Sequence, residues 1–401
     1  MRKKILFSLL IILFIFICAR SVFSARKNKG NPRFYKESGV FSEAMDAVKK
    51  DYAEKTNDRD LIYGALKGML ESLDPHSQFM DPDTYEELKV ETLGKFGGIG
   101  IEVTIKDGVL TVITPIQGTP AWKAGIQAGD RIIKIDESPT LQLTLGEAVK
   151  KMRGRPGEKV ILTISREDIK DFLEFKITRG IIKIEDVKYA FIPENRIGYI
   201  KINEFRKNTS REFDLALDTL LRQGIKSLII DLRNNPGGLL DTAIEVAGKF
   251  LEPDKLIAYT KGRRADQNLD FFSGCKNPVL ELPLAVIINE GSASGSEIVA
   301  GALQDYRRAA IIGTKSFGKG SVQEVVPLED GSALRLTTSH YFTPSGKIIQ
   351  DKGILPDIQK ESKKGNPSSE DSGPLKAKEK SQNFFNYNDD PQIMRAIEAL
   401  K

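Results

Sequence analysis

The sequence predicts a multidomain α/β protein: a helical N-terminal region, a β-rich module in the middle, and an alternating α/β core behind it. Three observations predict this. Between residues 32 and 95 apolar side chains recur at helical spacing. From Phe96 the texture changes to short β-like runs punctuated by glycine. Beyond about residue 170, apolar strand-like runs alternate with amphipathic stretches, the pattern of an α/β core. The length of 401 residues suits two or three domains. A hydrophobic fraction of 40% supplies the cores, and 29% charged residues keep most of the chain soluble.

Residues 1–24 stand apart. Arg2, Lys3 and Lys4 precede an unbroken apolar run from Ile5 to Cys18, and Val22 and Ser24 suit a cut before Ala25. A secretory signal peptide is expected, since the run falls short of the ~20 apolar residues of a membrane span. Retention of the segment as an inner-membrane anchor is the alternative. These residues hold four cations and no acid, so the formal charge of +5 drops to about +1 for the rest. That balance gives no basic footprint for nucleic acid. Cys275 is the one cysteine beyond the signal region, which excludes a disulfide framework and a cysteine zinc site. Export without disulfides fits a bacterial periplasm or cell envelope. No metal or other cofactor is expected, because His76 and His340 are far apart and no carboxylate cluster has ligand spacing.

The helical region is assigned to residues 25–95. Phe41, Met45, Val48 and Tyr52 mark one helix, and Leu61, Ile62, Leu66, Met69 and Leu70 a second, stopped at Asp74-Pro75. A third short helix follows Asp83. Residues 96–167 form the β-rich module, with strands near 99–103, 110–113, 131–135 and 160–164 and two small helices between them. The core spans residues 168–360. Its strands are expected at 197–202, 227–231, 284–289, 309–312, 321–326 and 333–338, and its helices at 210–222, 239–251 and 295–304. Residues 361–382 are rich in Lys, Ser, Glu, Gly and Pro and read as a disordered linker. The segment 383–401 ends in a helix.

Within the middle module, Gly98-Ile99-Gly100-Ile101 before a strand, followed by Ala124-Gly-Ile-Gln-Ala-Gly-Asp130, resembles a PDZ domain. The resemblance implies that Gly98, Ile99, Gly100 and Ile101 receive a peptide carboxylate on backbone N–H groups while the peptide adds as a strand.

The chemistry concentrates in the core. Ser292-Ala-Ser-Gly-Ser296 lies between an apolar strand and an amphipathic helix, where helix N-terminal N–H groups favour developing negative charge. A serine there needs a base to become a nucleophile. His340 follows a strand and is one candidate; His76, in Leu-Asp-Pro-His-Ser, reads as a turn residue. The other candidate is a lysine whose pKa is lowered by burial or by a nearby cation. Lys319 stands between Gly318 and Gly320. Two near-misses fall away. Gly313 to Lys319 matches a phosphate-loop spacing but lacks the following Ser or Thr and the helix. Ser316-Phe-Gly-Lys319 has S-x-x-K spacing, but its glycines oppose the helix that motif requires.

At these residues the sequence resembles the carboxyl-terminal processing proteases. The motifs are Ser292-Ala-Ser-Gly-Ser-Glu297, Ser316-Phe-Gly-Lys-Gly320 with Gln323, Asp231-Leu-Arg-Asn-Asn-Pro-Gly-Gly238, Lys352-Gly-Ile-Leu-Pro-Asp357 and Leu73-Asp-Pro-His-Ser77. The resemblance covers about residues 35–358 and the final helix. It implies an α/β protease core of ClpP/crotonase-like type and a serine endopeptidase with a Ser–Lys dyad. Ser294 would be the nucleophile, Lys319 the general base and Gln323 its orienting partner. Gly295 and Gly237 would supply the oxyanion N–H donors. Gly295 stands where the family commonly has Ala. The implied partners are proteins or peptides with free C-terminal tails, an activating adaptor and further copies of the chain. The competing reading is a catalytically inactive PDZ scaffold or chaperone of the envelope.

Overall fold

The computed structural model describes residues 32–167, 169–362 and 387–401. The expected signal peptide lies outside these residues, as does the expected linker apart from residues 361 and 362. The described chain divides into two units, one ending at Leu73 and one beginning at Asp74. In the first, helices Pro32–Asp51 and Asp58–Glu71 are joined by a short turn, and the Asn57 side chain accepts the Arg59 N–H at 2.9 Å to cap the second. Phe41 and Val48 share one stripe of the first helix, Tyr52 follows directly after its end, and all three are exposed.

The second unit opens with β1 (Gln78–Met80), helix Pro82–Leu93 and β2 (Lys95–Gly98). The middle module follows with β3 (Ile101–Lys106), β4 (Val109–Pro115), β5 (Arg131–Ile135), β6 (Ser138–Pro139), β7 (Lys159–Ser165) and β8 (Leu173–Thr178). Its sheet runs β3-β4-β5-β7-β8, and helix Leu145–Met152 starts with a Thr144–Glu147 capping box. Strand β8 corrects the expected boundary at 167. It pairs with β7 over its full length rather than joining the core. The reason lies in its alternation: Ile177 faces the module's buried cluster while Glu174 and Lys176 face water, as on a half-solvated antiparallel strand. β9 (Gly180–Lys183) then pairs antiparallel with β2, so the module's entering and leaving strands form one neck.

The core sheet contains β10 (Val187–Ile192), β11 (Ile197–Ile202), β12 (Ser227–Asp231), β15 (Leu284–Ile288), β16 (Ala310–Gly313) and β19 (Ile358–Gln359), in that order. All neighbours are parallel except β10 and β11. Every residue of β12 and β15 is buried, as expected where both sheet faces are covered. Side-chain alternation sorts them. Leu228, Ile230, Val286 and Ile288 pack in the cluster that includes helices Thr209–Arg222, Leu240–Gly248 and Gly295–Asp305. Ile229, Ala285 and Ile287 pack on the other face with Ile393, Ala396 and Ile397 of helix Pro391–Ala399. A second, antiparallel sheet joins β13 (Leu256–Gly262), β14 (Asp270–Phe272), β17 (Ser321–Pro327) and β18 (Ala333–Phe342) with β1.

Candidate active site

Loops leaving the carboxyl ends of three neighbouring parallel strands carry the candidate residues. Ligand sites of open α/β sheets lie at this edge. The loop after β12 contains Asn234 to Gly238, the loop after β15 contains Ser294, and the loop after β16 contains Lys319.

Ser294 immediately precedes helix Gly295–Asp305 with φ 52° and ψ −110°, a region that residues with side chains rarely occupy. It lines a cavity of about 550 Å³ shared with Lys319 and Gln323. Its two serine neighbours are fully buried and engaged: Ser292 Oγ donates to the Leu232 carbonyl at 2.8 Å, and Ser296 Oγ to the Asn235 carbonyl at 3.0 Å. Burial, and then the Arg335 cation, hold the Lys319 ammonium below its usual pKa. Among the described residues its Nζ meets no carboxylate within ion-pairing distance. Gln323 does not bond to Lys319. Its Nε2 donates to Ser321 Oγ at 2.9 Å and reaches Thr337 Oγ1 at 3.4 Å.

Gly237 has φ 107°, and a Cβ there would stand 2.8 Å from Ser294 Cβ and 2.9 Å from the Gly295 nitrogen. The loop after β12 can therefore approach Ser294 only as glycine. The expected oxyanion donor at Gly237 is engaged: its N–H donates to Asn235 Oδ1 at 2.9 Å. The Asx turn of Asn235 claims that donor, whereas the Gly238 N–H has no acceptor among the described residues.

The sequence alone did not reveal what joins these loops. Glu297, on the first turn of the Ser294 helix, is fully buried. Its carboxylate accepts from Ser316 Oγ at 2.6 Å, Gly318 N–H at 2.7 Å, Ser294 N–H at 2.8 Å and Lys319 N–H at 2.9 Å. One side chain thus holds the backbones of both candidate dyad residues. Glu297 belonged to the Ser-Ala-Ser motif, but three of its four partners lie about twenty residues away. His76 also proves to be close to the site's charges. Burial lowers its pKa first, then the Lys319 cation. Its loop is held by Asp74, which accepts the His76 and Ser77 N–H groups, while Ser77 Oγ accepts the Thr337 N–H at 3.1 Å.

The rival bases and motifs sit elsewhere. His340 is exposed and alternates with Tyr341, which is the residue that lines the cavity. Ser316 is buried on a loop between Glu297 and the Ile354 N–H, and the element directly after Lys319 is strand β17, not a helix.

The predicted carboxylate loop is placed in a second cavity of about 410 Å³. Gly98, Ile99, Gly100 and Ile101 all line it, opposite Leu145, Val149 and Met152. Among the described residues strand β3 pairs only with β4, and Ile101, Glu102 and Val103 of its other edge line this groove.

Residues 196–360 match peptidase family S41, residues 111–166 match the PDZ domain, and residues 20–84 match the N-terminal domain of the activating protease CtpB. Fold and matches together define a serine-type peptidase with an internal PDZ domain that takes peptide substrates. The chain is 46% identical over 328 residues to a carboxy-terminal-processing protease of Bartonella bacilliformis, covering 81% of this chain and 75% of that one. It is 35% identical over 350 residues to the carboxy-terminal processing protease CtpA of Bacillus subtilis, covering 86% and 73%. The solved photosystem II D1 C-terminal processing protease is 31% identical, with a TM-score of 0.48 over 80% of this chain and 86% of that one. This chain belongs to the carboxyl-terminal processing protease family.

Proposed function

We propose that the protein is an exported endopeptidase that captures C-terminal tails in its PDZ groove and cleaves with Ser294 and Lys319. The observation that carries this reading is the shared cavity: a strained serine at a helix N-terminus and a lysine whose ammonium form is disfavoured line the same space.

Neutral Lys319 Nζ takes the Ser294 hydroxyl proton as Oγ attacks the scissile carbonyl carbon. The resulting oxyanion receives the Gly295 N–H and one N–H from the Pro236–Gly238 turn, worth a few kcal/mol of barrier each. The lysine ammonium then protonates the leaving amine, and the C–N bond breaks. Lys319 next deprotonates water, which attacks the acyl carbon; the C–Oγ bond breaks and the lysine ammonium returns the proton to Ser294 Oγ. A Gly237 donor would first have to leave Asn235; Gly238 needs no such exchange. Gln323 acts on the base indirectly, by fixing the strands beside it. For the tail, the open β3 edge supports strand addition, and the apolar groove wall suits an apolar last residue.

The test is intact mass of an unfolded reporter with an apolar C-terminal tail. It is incubated with the mature protein, Ser294→Ala or Lys319→Ala. Defined fragments from wild type alone are expected. Cleavage surviving in Lys319→Ala would move the base elsewhere. Export is read from the N-terminal mass of the protein recovered from the envelope, which should begin at Ala25. The exposed side chains of Phe41, Val48 and Tyr52 support self-association or an adaptor contact, and light scattering of a Phe41→Asp variant checks the former.

A further inference from the structure

We infer that the last helix is a working part of the active site: Asp390 and Gln392 pin Arg233, and Arg233 positions the turn that faces Ser294. The inference rests on the Ser294 reading for its catalytic consequence, but the pin itself is a separate physical claim.

The chain of contacts is continuous. Arg233 Nη1 donates to Asp390 Oδ2 at 2.7 Å and to Gln392 Oε1 at 3.0 Å. The rest of its guanidinium binds Asp231, a fully buried carboxylate that also accepts the Tyr199 hydroxyl at 2.7 Å. Gln392 is itself buried, and its Nε2 donates to the Lys360 carbonyl at 2.8 Å. Two residues after Arg233, Asn235 is fully buried. Its Nδ2 donates to the Ile202 carbonyl, its Oδ1 accepts the Gly237 N–H, and its carbonyl accepts the Ala293 N–H and Ser296 Oγ. Asn235 therefore stitches the glycine turn to the Ser294 loop on both sides, and Arg233 is the anchor from which that stitch departs.

A structural latch alone would need only the apolar face of the helix, Ile393, Ala396 and Ile397, which already covers the sheet. The polar end adds something different. It supplies the only acceptors that Arg233 Nη1 has among the described residues, at the start of the turn. A displacement of about 1 Å at a positioning element can cost ~100-fold in rate. Asp390, Gln392 and Arg233 are thus positioning residues, and catalytic competence depends on the docked C-terminal segment.

The experiment uses the full chain carrying Asp390→Ser and Gln392→Ala. Serine keeps an N-cap acceptor for the Gln392 and Ile393 N–H groups but is too short to reach Arg233. Amide exchange over residues 234–239, kcat, KM and Tm are measured together. The expected result is at least tenfold faster exchange in that turn and a kcat lowered at least tenfold, with KM within twofold. Asp390→Asn, which keeps the acceptor, should restore most of the kcat. Leu220→Ala, a buried core change beside Gly198 and off the last helix, should lower Tm while leaving kcat per folded molecule unchanged. Exchange at 234–239 equal to wild type, or a kcat loss matching only the unfolded fraction, overturns the inference. If wild type itself cleaves nothing, the protease reading fails, and the exchange measurement still decides the pin.

Discussion

Lys319 is held below its usual ammonium range first by burial and then by Arg335, whose Nε and Nη2 groups are fixed by the His76 carbonyl and Gln78. The sign of a test follows. Removing the Arg335 cation relieves repulsion of the ammonium and raises the lysine pKa. Less neutral base then exists at neutral pH. In Arg335→Gln the rising limb of the kcat/KM profile should move to higher pH, and in Arg335→Lys it should stay. A limb that does not move in the glutamine variant would remove Arg335 from the account. The two glycines beside Ser294 should separate equally clearly. Gly237→Ala combines a left-handed φ with a Cβ 2.8 Å from Ser294 Cβ, and a kcat loss of ~100-fold is expected. In Gly295→Ala the new Cβ meets Phe205 at 3.2 Å and Ala243 at 3.3 Å. There the helix gain of ~1 kcal/mol from alanine offsets the tight fit, so kcat should stay within a few-fold. Both are read from steady-state kinetics. Ser294 and Lys319 were legible as candidates because each stands in a compact local motif. Arg335 was not, since its effect on the lysine arises from strand pairing that a local reading cannot supply.

At the scale of elements, the N-terminus of helix Gly295–Asp305 and the loop after β16 meet at Glu297. Its carboxylate serves four donors, and an amide can serve only some of them. Glu297→Gln leaves about two buried donors without acceptors, each costing ~1–3 kcal/mol. Its Tm should fall by several degrees, and kcat by tenfold or more, because the backbones of Ser294 and Lys319 both lose their shared anchor. Thermal melting and kinetics on the same preparation check this. An unchanged kcat would mean that the helix end is held by its other bonds. Strands β11, β12 and β5 could be read to the residue from their apolar runs. β13 and β14 could not, because the apolar run Leu256–Tyr259 and the pair Phe271–Phe272 are too short to mark strands by themselves, and they become strands by pairing with β18 and with each other.

For the molecule as a whole, the neck of β2 and β9 makes the PDZ domain removable at one point, since Gly98 pairs with Gly180. Excising residues 99–179 and bridging with a short Gly-Ser turn should leave cleavage of an unfolded reporter intact. The rate ratio between tail-bearing and tail-less reporters should fall towards one. A ratio equal to wild type would place tail selection in the core cavity. Cutting at residue 166 instead leaves β8 with Ile177 unpaired, and aggregation is expected. By itself the sequence determined the order of its parts, the buried parallel strands, the family and the short motifs. These depend on neighbours a few residues apart, where apolar spacing and glycine placement act directly. Only the tertiary structure decided that Ser292 and Ser296 are spent on backbone carbonyls, that His340 points away from the cavity, and that Asn235 claims the Gly237 N–H. It alone brought Asp390 to Arg233 across 157 positions. Such contacts arise when separate strands and helices pack into one core, and no local pattern encodes a partner chosen at that distance.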